Sequence, residues 1–291
     1  MTYSNVENTR VWFITGASSG LGYEFTKKAL ESGDKVVGVA RNIEKLNELK
    51  SQFKGMLLPL RLDVTDRSAV FTTVNTALKH FGRLDIVINN AGNMVLGMIE
   101  EFNEDEVRSQ METNFYGAVW VSQAVIPYLR TQGSGHIIQI SSIGGLITGP
   151  MSGIYSASKF ALEGFSDALA QEVAHFGVKV SIVEPGGYWT NLYLKMGFAT
   201  QKKEYDSLRD VLAKQNSIES VDSDPKLAAE AIMKLVNSEN PPLRLILGSL
   251  VYDLAVENTE KRISTWKEWE SVSRSAEHGI PAPEGYGIIE E

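Results

Sequence analysis

The stretch Val11-Trp12-Phe13-Ile14-Thr15-Gly16-Ala17-Ser18-Ser19-Gly20-Leu21-Gly22 decides the fold of this chain. Its apolar start is typical of a buried strand, its middle is a glycine-rich turn, and helical periodicity follows at 20–32. At such a junction the free N–H groups and the positive end of the helix dipole can bind an anion such as a pyrophosphate. Gly16 allows the turn, Gly20 permits close approach of the ligand, and Gly22 lets the helix pack near the strand.

The alternation of strand and helix continues along the chain. Apolar runs predict further strands at 35–40, 56–62, 84–89, 136–141, 178–184 and 243–247. Helical periodicity is found at 20–32, 42–53, 66–81, 104–130, 155–175 and 225–238. Strict alternation implies right-handed βαβ crossovers. The sequence therefore predicts an α/β, Rossmann-type fold with a doubly wound, mostly parallel seven-stranded sheet and helices on both faces.

One domain over 1–280 is expected, because no linker rich in proline, glycine or serine divides the chain. Residues 190–222 interrupt the alternation with a mixture of apolar and charged side chains. This insertion is either a lid over a ligand site or a helical decoration that only packs. The tail at 281–291, with two prolines and three acids, is expected to be loose.

Composition excludes several classes of protein. The 291 residues include 28 Lys and Arg against 36 Asp and Glu, a formal net charge of −8, so binding to nucleic acid or anionic membranes is not expected. With no cysteine, disulfides, thiolate metal sites and cysteine nucleophiles are excluded. The four histidines lack metal-ligand spacing, so no metal site is expected. Neither a leader segment nor a run of 18 apolar residues is found, and the expected location is cytoplasmic.

Two other motifs overlap the glycine turn. Gly16-Ala17-Ser18-Ser19-Gly20 fits the nucleophile elbow of α/β-hydrolases, but that elbow needs an earlier strand and loop for its oxyanion hole. The fifteen residues before Gly16 leave no room for them. A P-loop would need Gly-Lys-Ser/Thr at its end, whereas Tyr23 and Glu24 follow Gly22. Both alternatives are therefore disfavoured.

The end of the second strand predicts which dinucleotide would bind. An acidic residue there would hold the 2′-hydroxyl of the adenosine ribose, whereas a nearby arginine accommodates a 2′-phosphate. In this chain the position where that acidic residue would stand is taken by Ala40, and Arg41 follows it. NADP(H) is therefore predicted over NAD(H), with Ser18 and Ser19 assisting at the phosphate. The alternative for Arg41 is an exposed charge that opens a helix.

Tyr155 and Lys159 share one helix face at i, i+4 spacing. At an effective dielectric constant of about 20, an ammonium about 5 Å away stabilises a phenolate by roughly 3 kcal/mol, or about two pKa units. Tyr155 would then have a pKa near 8, suited to proton transfer. Ser142 ends an apolar strand thirteen residues upstream and could orient a substrate oxygen. The second such pair, Tyr23 and Lys27, has no equivalent serine.

Taken together, these motifs resemble the short-chain dehydrogenases/reductases from Thr9 to about Asn191. The resemblance rests on Thr15-Gly16-x-x-x-Gly20-x-Gly22, Asp63, Asn89-Asn90-Ala91-Gly92, Asn114, Ser142, Tyr155-x-x-x-Lys159 and Pro185-Gly186. It implies that Asn114, Ser142, Tyr155 and Lys159 form a catalytic tetrad, with Asn114 bending its helix so that a water links Lys159 to solvent. Taken alone, Asn114 would be a helix-interior amide satisfied locally, and Ser141 is the alternative to Ser142. The family commonly pairs helices such as 104–130 and 155–175 between subunits, which implies a homodimer or homotetramer.

The resemblance also assigns a nucleotide site, in which Asp63 and Val64 flank the adenine and Pro185, Gly186, Tyr188 and Thr190 lie by the nicotinamide. At Tyr188 the family more often has a branched aliphatic residue, so contacts from the backbone are what the resemblance implies there. The complete set expected at the cofactor is Gly16, Ser18, Ser19, Gly20, Leu21, Gly22, Arg41, Asp63, Val64, Asn90, Ala91, Gly92, Tyr155, Lys159, Pro185, Gly186, Tyr188 and Thr190.

A finer resemblance, over Gly144-Gly145-Leu146 and 158–164, is to the branch with 17β-hydroxysteroid and retinol dehydrogenases. Apolar or amphipathic side chains that could contact a hydrophobic substrate, or simply belong to the core, are Met94, Val95, Leu146, Met151, Tyr188, Trp189, Leu192 and Met196. The expected activity is reduction of a ketone or aldehyde, or oxidation of a secondary alcohol. The rival hypothesis is a dinucleotide-sensing protein without turnover. Trp266 and Trp269 indicate packing or a subunit contact.

Overall fold

The computed structural model describes residues 9–190, 192, 196–215, 222–277 and 279. Its helices and strands, numbered in chain order, are β1 (Val11–Thr15), α1 (Gly20–Glu31), β2 (Lys35–Ala40), α2 (Glu44–Gln52), β3 (Leu57–Arg61), α3 (Arg67–Phe81), β4 (Ile86–Asn89), β5 (Val95–Leu96), α4 (Glu104–Met111), α5 (Gly117–Gln132), β6 (Gly135–Ile140), α6 (Gly153–Val173), β7 (Val178–Pro185), β8 (Gly197–Phe198), α7 (Asp206–Gln215), α8 (Pro225–Val236), β9 (Arg244–Leu247), α9 (Ser249–Glu268) and α10 (Glu270–Ser275).

Seven strands form one parallel sheet in the order β3-β2-β1-β4-β6-β7-β9. The chain moves outward from β1 through β2 to β3, then returns to the other side of β1 at β4. This reversal between β1 and β4 is the topological switch point, where ligands of open α/β sheets bind at the carboxyl ends of the strands. The predicted Rossmann-type fold is confirmed.

The core consists of two hydrophobic layers, one on each face of the sheet. In β1, Trp12 and Ile14 face one layer with side chains of α1, α2 and α8. Val11 and Phe13 face the other layer with side chains of α3, α5 and α6. Because successive side chains of a strand point to opposite faces, a continuous apolar run is what a strand covered on both faces requires.

Helix boundaries follow the local chemistry. Asp66 caps α3 by accepting a hydrogen bond from Ala69 N at 3.0 Å, and Asn103 forms a capping box with Glu106 at the start of α4. Gly82 ends α3 at φ 80°, a conformation that costs glycine least.

The predicted continuous helix at 104–130 is wrong in one respect. A π-helical turn, Glu112–Tyr116, separates α4 from α5. Such a turn widens the helix by one residue and is frequent at functional sites.

Residues 190–222, predicted as an insertion, are partly described. They contain β8, a short 3₁₀ turn at Lys203–Tyr205 and α7, and β8 pairs in parallel with β5 in a separate two-stranded sheet. Residues 191, 193–195 and 216–221 of this insertion and the predicted tail at 281–291 lie outside the described residues.

Contacts divide the chain into two compact units, one ending at Tyr252 and the other beginning at Asp253. The first unit contains the seven-stranded sheet. The second contains the rest of α9 together with α10, in which Trp266 and Trp269 are more than half exposed. The predicted extent of a single domain, 1–280, stays a prediction.

Candidate active site

The carboxyl ends of β1 and β4 are joined by the side chain of Thr15. Its hydroxyl oxygen accepts hydrogen bonds from the backbone N–H groups of Asn90 and Ala91, both at 2.9 Å. The Asn90 amide in turn donates to Thr15 O at 2.9 Å. These bonds fix the Asn90-Ala91-Gly92 turn beside the glycine turn, so both turns form one rigid edge of the site.

The glycine turn has the backbone shape that a phosphate requires. Gly16 and Gly20 adopt φ of 64° and 53°, in the left-handed region that favours glycine. A Cβ on Gly22 would clash with the Asn90 amide and lie 2.5 Å from Gly16 O. Ser19 is the N-cap of α1, yet its side chain makes no capping hydrogen bond, which leaves first-turn N–H groups for a ligand. The geometry therefore fits a dinucleotide pyrophosphate.

A cavity of about 410 Å³ runs along this edge of the sheet. It brings together most of the predicted residues: Gly16, Ser18, Ser19, Gly20, Leu21, Arg41, Asp63, Val64, Asn90, Ala91, Gly92, Met94, Ser142, Tyr155, Lys159, Pro185, Gly186, Tyr188, Thr190 and Leu192. Gly22 and Asn114 are buried behind it and hold its walls. One continuous cavity therefore reaches from Arg41 to Tyr155.

Tyr155, Lys159 and Ser142 meet at the far end of the cavity. Lys159 Nζ lies 5.9 Å from the centroid of the Tyr155 ring and donates a hydrogen bond to Ile140 O at 2.9 Å. Gly144 lies between Tyr155 and Ser142. A Cβ at this glycine would be 3.1 Å from Tyr155 Cε1 and 3.5 Å from Ser142 Oγ. The absence of a side chain at 144 thus lets the phenol and the hydroxyl approach the same space.

Ser142 is held in place by its own turn. It caps the 3₁₀ turn Ile143–Gly145, and its Oγ accepts a hydrogen bond from Gly144 N at 3.0 Å. Since an N–H occupies an acceptor position of this hydroxyl, its hydrogen can be donated elsewhere.

Asn114 lies in the π-helical turn and is 1% exposed. Its Oδ1 accepts from Asn93 N at 2.8 Å, and its Nδ2 donates to Asn93 O and Ser158 Oγ, both at 3.0 Å. The side chain therefore joins the loop between β4 and β5, at Asn93, to the helix that carries Tyr155 and Lys159. The distortion at Asn114 agrees with the bend that the family resemblance implies.

Burial controls the charge of Lys159, which is 5% exposed. Desolvation lowers its pKa to about 8, and nearby Glu163 opposes this change. Burial also raises the pKa of the Tyr188 phenol beside the same cavity. The pKa of Lys159 is thus much closer to neutral pH than that of an ordinary lysine.

Glu163, the carboxyl group that acts on Lys159, is close to a second buried carboxyl group, Glu184. Burial raises the pKa of Glu163, one helical turn beyond Lys159, and raises that of Glu184 to about 8, with Glu163 adding to the effect. Arg244 lies 3.1 Å from Glu163 and 3.6 Å from Glu184.

The residues predicted at the substrate are distributed unevenly. Met94, Tyr188 and Leu192 line the cavity. Val95 belongs to β5, and Leu146, Met151 and Met196 are half-buried outside the lining. Trp189 is 68% exposed. Their contact with a substrate stays a prediction.

Several lining residues escaped the sequence analysis: Val39, Asn42, Leu62, Asn93, Thr113 and Ile140. Asn93 directly follows the Asn-Asn-Ala-Gly motif, and Thr113 directly precedes Asn114. Their positions beside motif residues at strand ends and helix turns were the available signal. In the described part of the chain, no group of three or more His, Cys, Asp or Glu side chains could hold a metal ion. The described helices include none long and apolar enough to cross a bilayer.

Comparison with known proteins gives a family. A sequence model of the short chain dehydrogenase family matches residues 10–197. Oxidoreductase BOA17 of Botryotinia fuckeliana is 39% identical over 269 residues, 91% of this chain and 98% of that protein. The 3-ketodihydrosphingosine reductase of Bacteroides thetaiotaomicron is 39% identical over 246 residues, 83% of this chain and 89% of that protein.

Solved structures agree with the sequence matches. A short-chain dehydrogenase from Streptomyces avermitilis has a TM-score of 0.86 and 37% identity, covering 93% of this chain and 99% of its own. The protein ElxO, solved with NADP bound, has a TM-score of 0.70 and 28% identity, covering 82% of this chain and 96% of its own.

Proposed function

The chain belongs to the short-chain dehydrogenase family of oxidoreductases, and from that premise we propose that it is an NADP(H)-dependent carbonyl reductase or alcohol dehydrogenase. The observation that carries the proposal is the meeting of Tyr155, Lys159 and Ser142 at one end of a cavity whose other end is formed by the glycine turn and Arg41.

In this proposal NADPH, when bound, supplies the hydride that reaches the carbonyl carbon. Tyr155 donates its phenolic proton to the carbonyl oxygen and recovers it in alcohol oxidation. Ser142 donates a hydrogen bond to the same oxygen, because its Oγ already accepts one from Gly144 N. The substrate oxygen is thus held between two donors.

Lys159 and Asn114 support the proton transfer. The Lys159 ammonium, fixed by Ile140 O, favours the phenolate form of Tyr155. Asn114 holds Asn93 and Ser158 in place, and its helical bend is where we propose that a water connects Lys159 to solvent. These four residues form the proposed tetrad.

The preference for NADP(H) over NAD(H) rests on the end of β2. Ala40, Arg41 and Asn42 line the cavity beside Ser18, and the strand ends without a carboxylate that would repel a 2′-phosphate. The bound NADP of ElxO supports this part of the proposal.

A hydrophobic ketone, aldehyde or secondary alcohol is the proposed substrate. Met94 and Leu192 line the cavity, and Trp189, Leu192 and Phe198 expose large apolar side chains on the segments after β7. The matched reductase of 3-ketodihydrosphingosine acts on a ketone by its name. A homodimer or homotetramer and a cytoplasmic location complete the proposal.

A screen of NADPH consumption over aliphatic, aromatic and steroidal ketones and aldehydes tests it. We expect the absorbance of the reduced nicotinamide to fall with at least one of these classes of compound. The reaction should be slower with NADH than with NADPH. NADPH binding without consumption by any class would instead favour the dinucleotide-sensing protein.

A further inference from the structure

The short segment 97–101, directly after β5, contacts the turn that leads to Tyr155. Gly97 N donates a hydrogen bond to Met151 O at 2.9 Å. Ile99 packs so closely against Gly153 that a Cβ on this glycine would clash with Ile99 Cδ1. Met151 has φ 69°, a strained conformation for this side chain that its neighbours must hold.

The described part of the insertion is attached to β5, the strand that precedes this segment. Gly197 N donates to Met94 O at 3.0 Å and Ala199 N donates to Leu96 O at 2.9 Å, which joins β8 to β5. The buried side chain of Gln110 on α4 accepts a hydrogen bond from Val95 N at 2.6 Å. The insertion is therefore attached to β5, and β5 is in turn held by Gln110 of α4.

A two-residue pairing is a weak anchor in water, and a buried ion pair reinforces it. The Glu101 side chain is 1% exposed and the Arg209 side chain 14%. The Glu101 carboxylate accepts hydrogen bonds from Arg209, from Lys202 N at 2.7 Å and from Met98 N at 2.8 Å. The Arg209 guanidinium also donates to Lys202 O at 3.1 Å.

These bonds decide the ionisation of Glu101. Burial acts to raise its pKa, but the hydrogen bonds from Lys202 N and Met98 N and the charge of Arg209 outweigh it and leave the pKa below its ordinary value. A buried carboxylate that loses its cation is strongly destabilised. The pair thus ties the insertion to residues 98–101 in one arrangement.

The neighbouring ion pair differs in its surroundings. Glu100 accepts hydrogen bonds from Lys202 Nζ at 2.7 Å and Tyr205 OH at 2.8 Å, but the Glu100 and Lys202 side chains are 58% and 42% exposed. Exposed pairs of this kind contribute little. The buried pair therefore carries most of the attachment.

We propose that Glu101 and Arg209 are positioning residues that hold segment 196–209 against β5 and the adjacent Met94, which lines the site on its proposed substrate side. The inference rests on the proposed function. Met94, which lines the cavity, bonds through its carbonyl to the segment that the pair fixes. Without the pair, the segment would no longer hold Met94 in place, and substrate binding would weaken. The cofactor end of the cavity, formed by the glycine turn and Arg41, would keep its shape.

The test compares Glu101→Gln and Arg209→Met with Arg209→Lys, which keeps the charge. Glu104→Gln and Arg108→Met are matched controls, since Arg108 and Glu104 form an exposed pair at 2.6 Å with side chains 73% and 74% exposed. Hydrogen–deuterium exchange of the full-length chain reports on the attachment. KM for the ketone turned over fastest and Kd for NADPH report on the two ends of the site.

In Glu101→Gln and Arg209→Met, exchange at 197–209 is expected to accelerate at least tenfold and the ketone KM to rise at least fivefold, with Kd for NADPH within twofold. Arg209→Lys should give smaller changes in the same direction, and it decides the matter if the other variants do not fold. The controls should match the wild-type protein.

Unchanged exchange at 197–209 would overturn the attachment. Faster exchange with an unchanged KM, or an equal loss of NADPH binding, would overturn the positioning role. If the wild-type protein turns over no ketone, aldehyde or secondary alcohol, the proposed function fails and takes the KM effect with it. The exchange measurement then decides independently whether Glu101 and Arg209 hold the segment.

Discussion

Replacement of Lys159 by methionine should stabilise the cofactor-free protein at pH 7 while it abolishes turnover. Methionine has a similar length and no charge, and the site is 5% exposed. The burial that lowers the lysine pKa from 10.5 to about 8 also measures what the folded chain loses by keeping an ammonium there. Function at this position therefore opposes stability.

The magnitude follows from the pKa. A fall from 10.5 to about 8 corresponds to about 3 kcal/mol at about 1.4 kcal/mol per pKa unit. The variant also loses the hydrogen bond from Lys159 Nζ to Ile140 O, a cost of about 1 kcal/mol. The expected net gain in the free energy of unfolding at pH 7 is about 2 kcal/mol, or roughly 4–8 °C in Tm.

The sign changes with pH. Below pH 8 both folded and unfolded wild-type chains hold the lysine proton, so the full cost of burial persists. Between pH 8 and 10.5 the unfolded chain holds more protons, and the contribution of Lys159 to wild-type stability rises with pH. The advantage of Lys159→Met should therefore shrink over this interval and reverse to a deficit of about 1 kcal/mol above it.

Urea denaturation of both proteins at pH 7, 8, 9 and 10, followed by circular dichroism, measures the difference. A variant that is less stable than wild type by the same amount at every pH would refute the reasoning. That result would mean that packing, and not the buried charge, dominates at this position.

Two further changes test the cofactor end and the buried carboxyl pair. Arg41→Asp should lower the ratio of kcat/KM with NADPH to that with NADH at least tenfold, because a carboxylate there repels a 2′-phosphate and can accept a ribose hydroxyl; an unchanged ratio would discredit the NADP(H) preference. Glu184→Gln removes a group whose folded pKa is raised to about 8 from 4.5, chiefly by burial and secondarily by Glu163. Because the unfolded chain releases this proton at lower pH, wild-type stability should fall between pH 5 and pH 8 by a few kcal/mol relative to the variant. Parallel unfolding curves of the two proteins across this range would contradict it.

The sequence predicted the main sheet well because its strands are buried on both faces. Runs such as Val11–Thr15 must be apolar throughout. Because a helix separates each strand from the next, the connections between the parallel strands are right-handed crossovers. Their observed boundaries agree with the predicted ones within two residues. The glycine turn was equally clear, since the positive φ of Gly16 and Gly20 and the steric conflict at Gly22 tolerate few other residues.

Features that depend on tertiary contacts were not predictable. The π-helical turn at Glu112–Tyr116 has no periodicity of its own, so the residue pattern predicted one continuous helix and only the family resemblance implied a bend at Asn114. The turn is stabilised by the bonds of Asn114 to Asn93 and Ser158. β5 and β8 have two residues each, and the two strands pair with each other although they lie about a hundred positions apart in the chain. Glu101 and Arg209 looked like ordinary charges in sequence, because only the fold shows that they are buried.

Proton transfer by Tyr155 is the central claim, and Tyr155→Phe tests it most directly. Tyr23, four residues before Lys27 and distant from Ser142 in sequence, offers the matched control Tyr23→Phe. Steady-state NADPH oxidation and NADPH binding are measured for both variants with the same ketone. Tyr155→Phe should lose at least a thousandfold in kcat with NADPH Kd within about twofold, while Tyr23→Phe turns over normally. Full turnover in Tyr155→Phe would contradict the account.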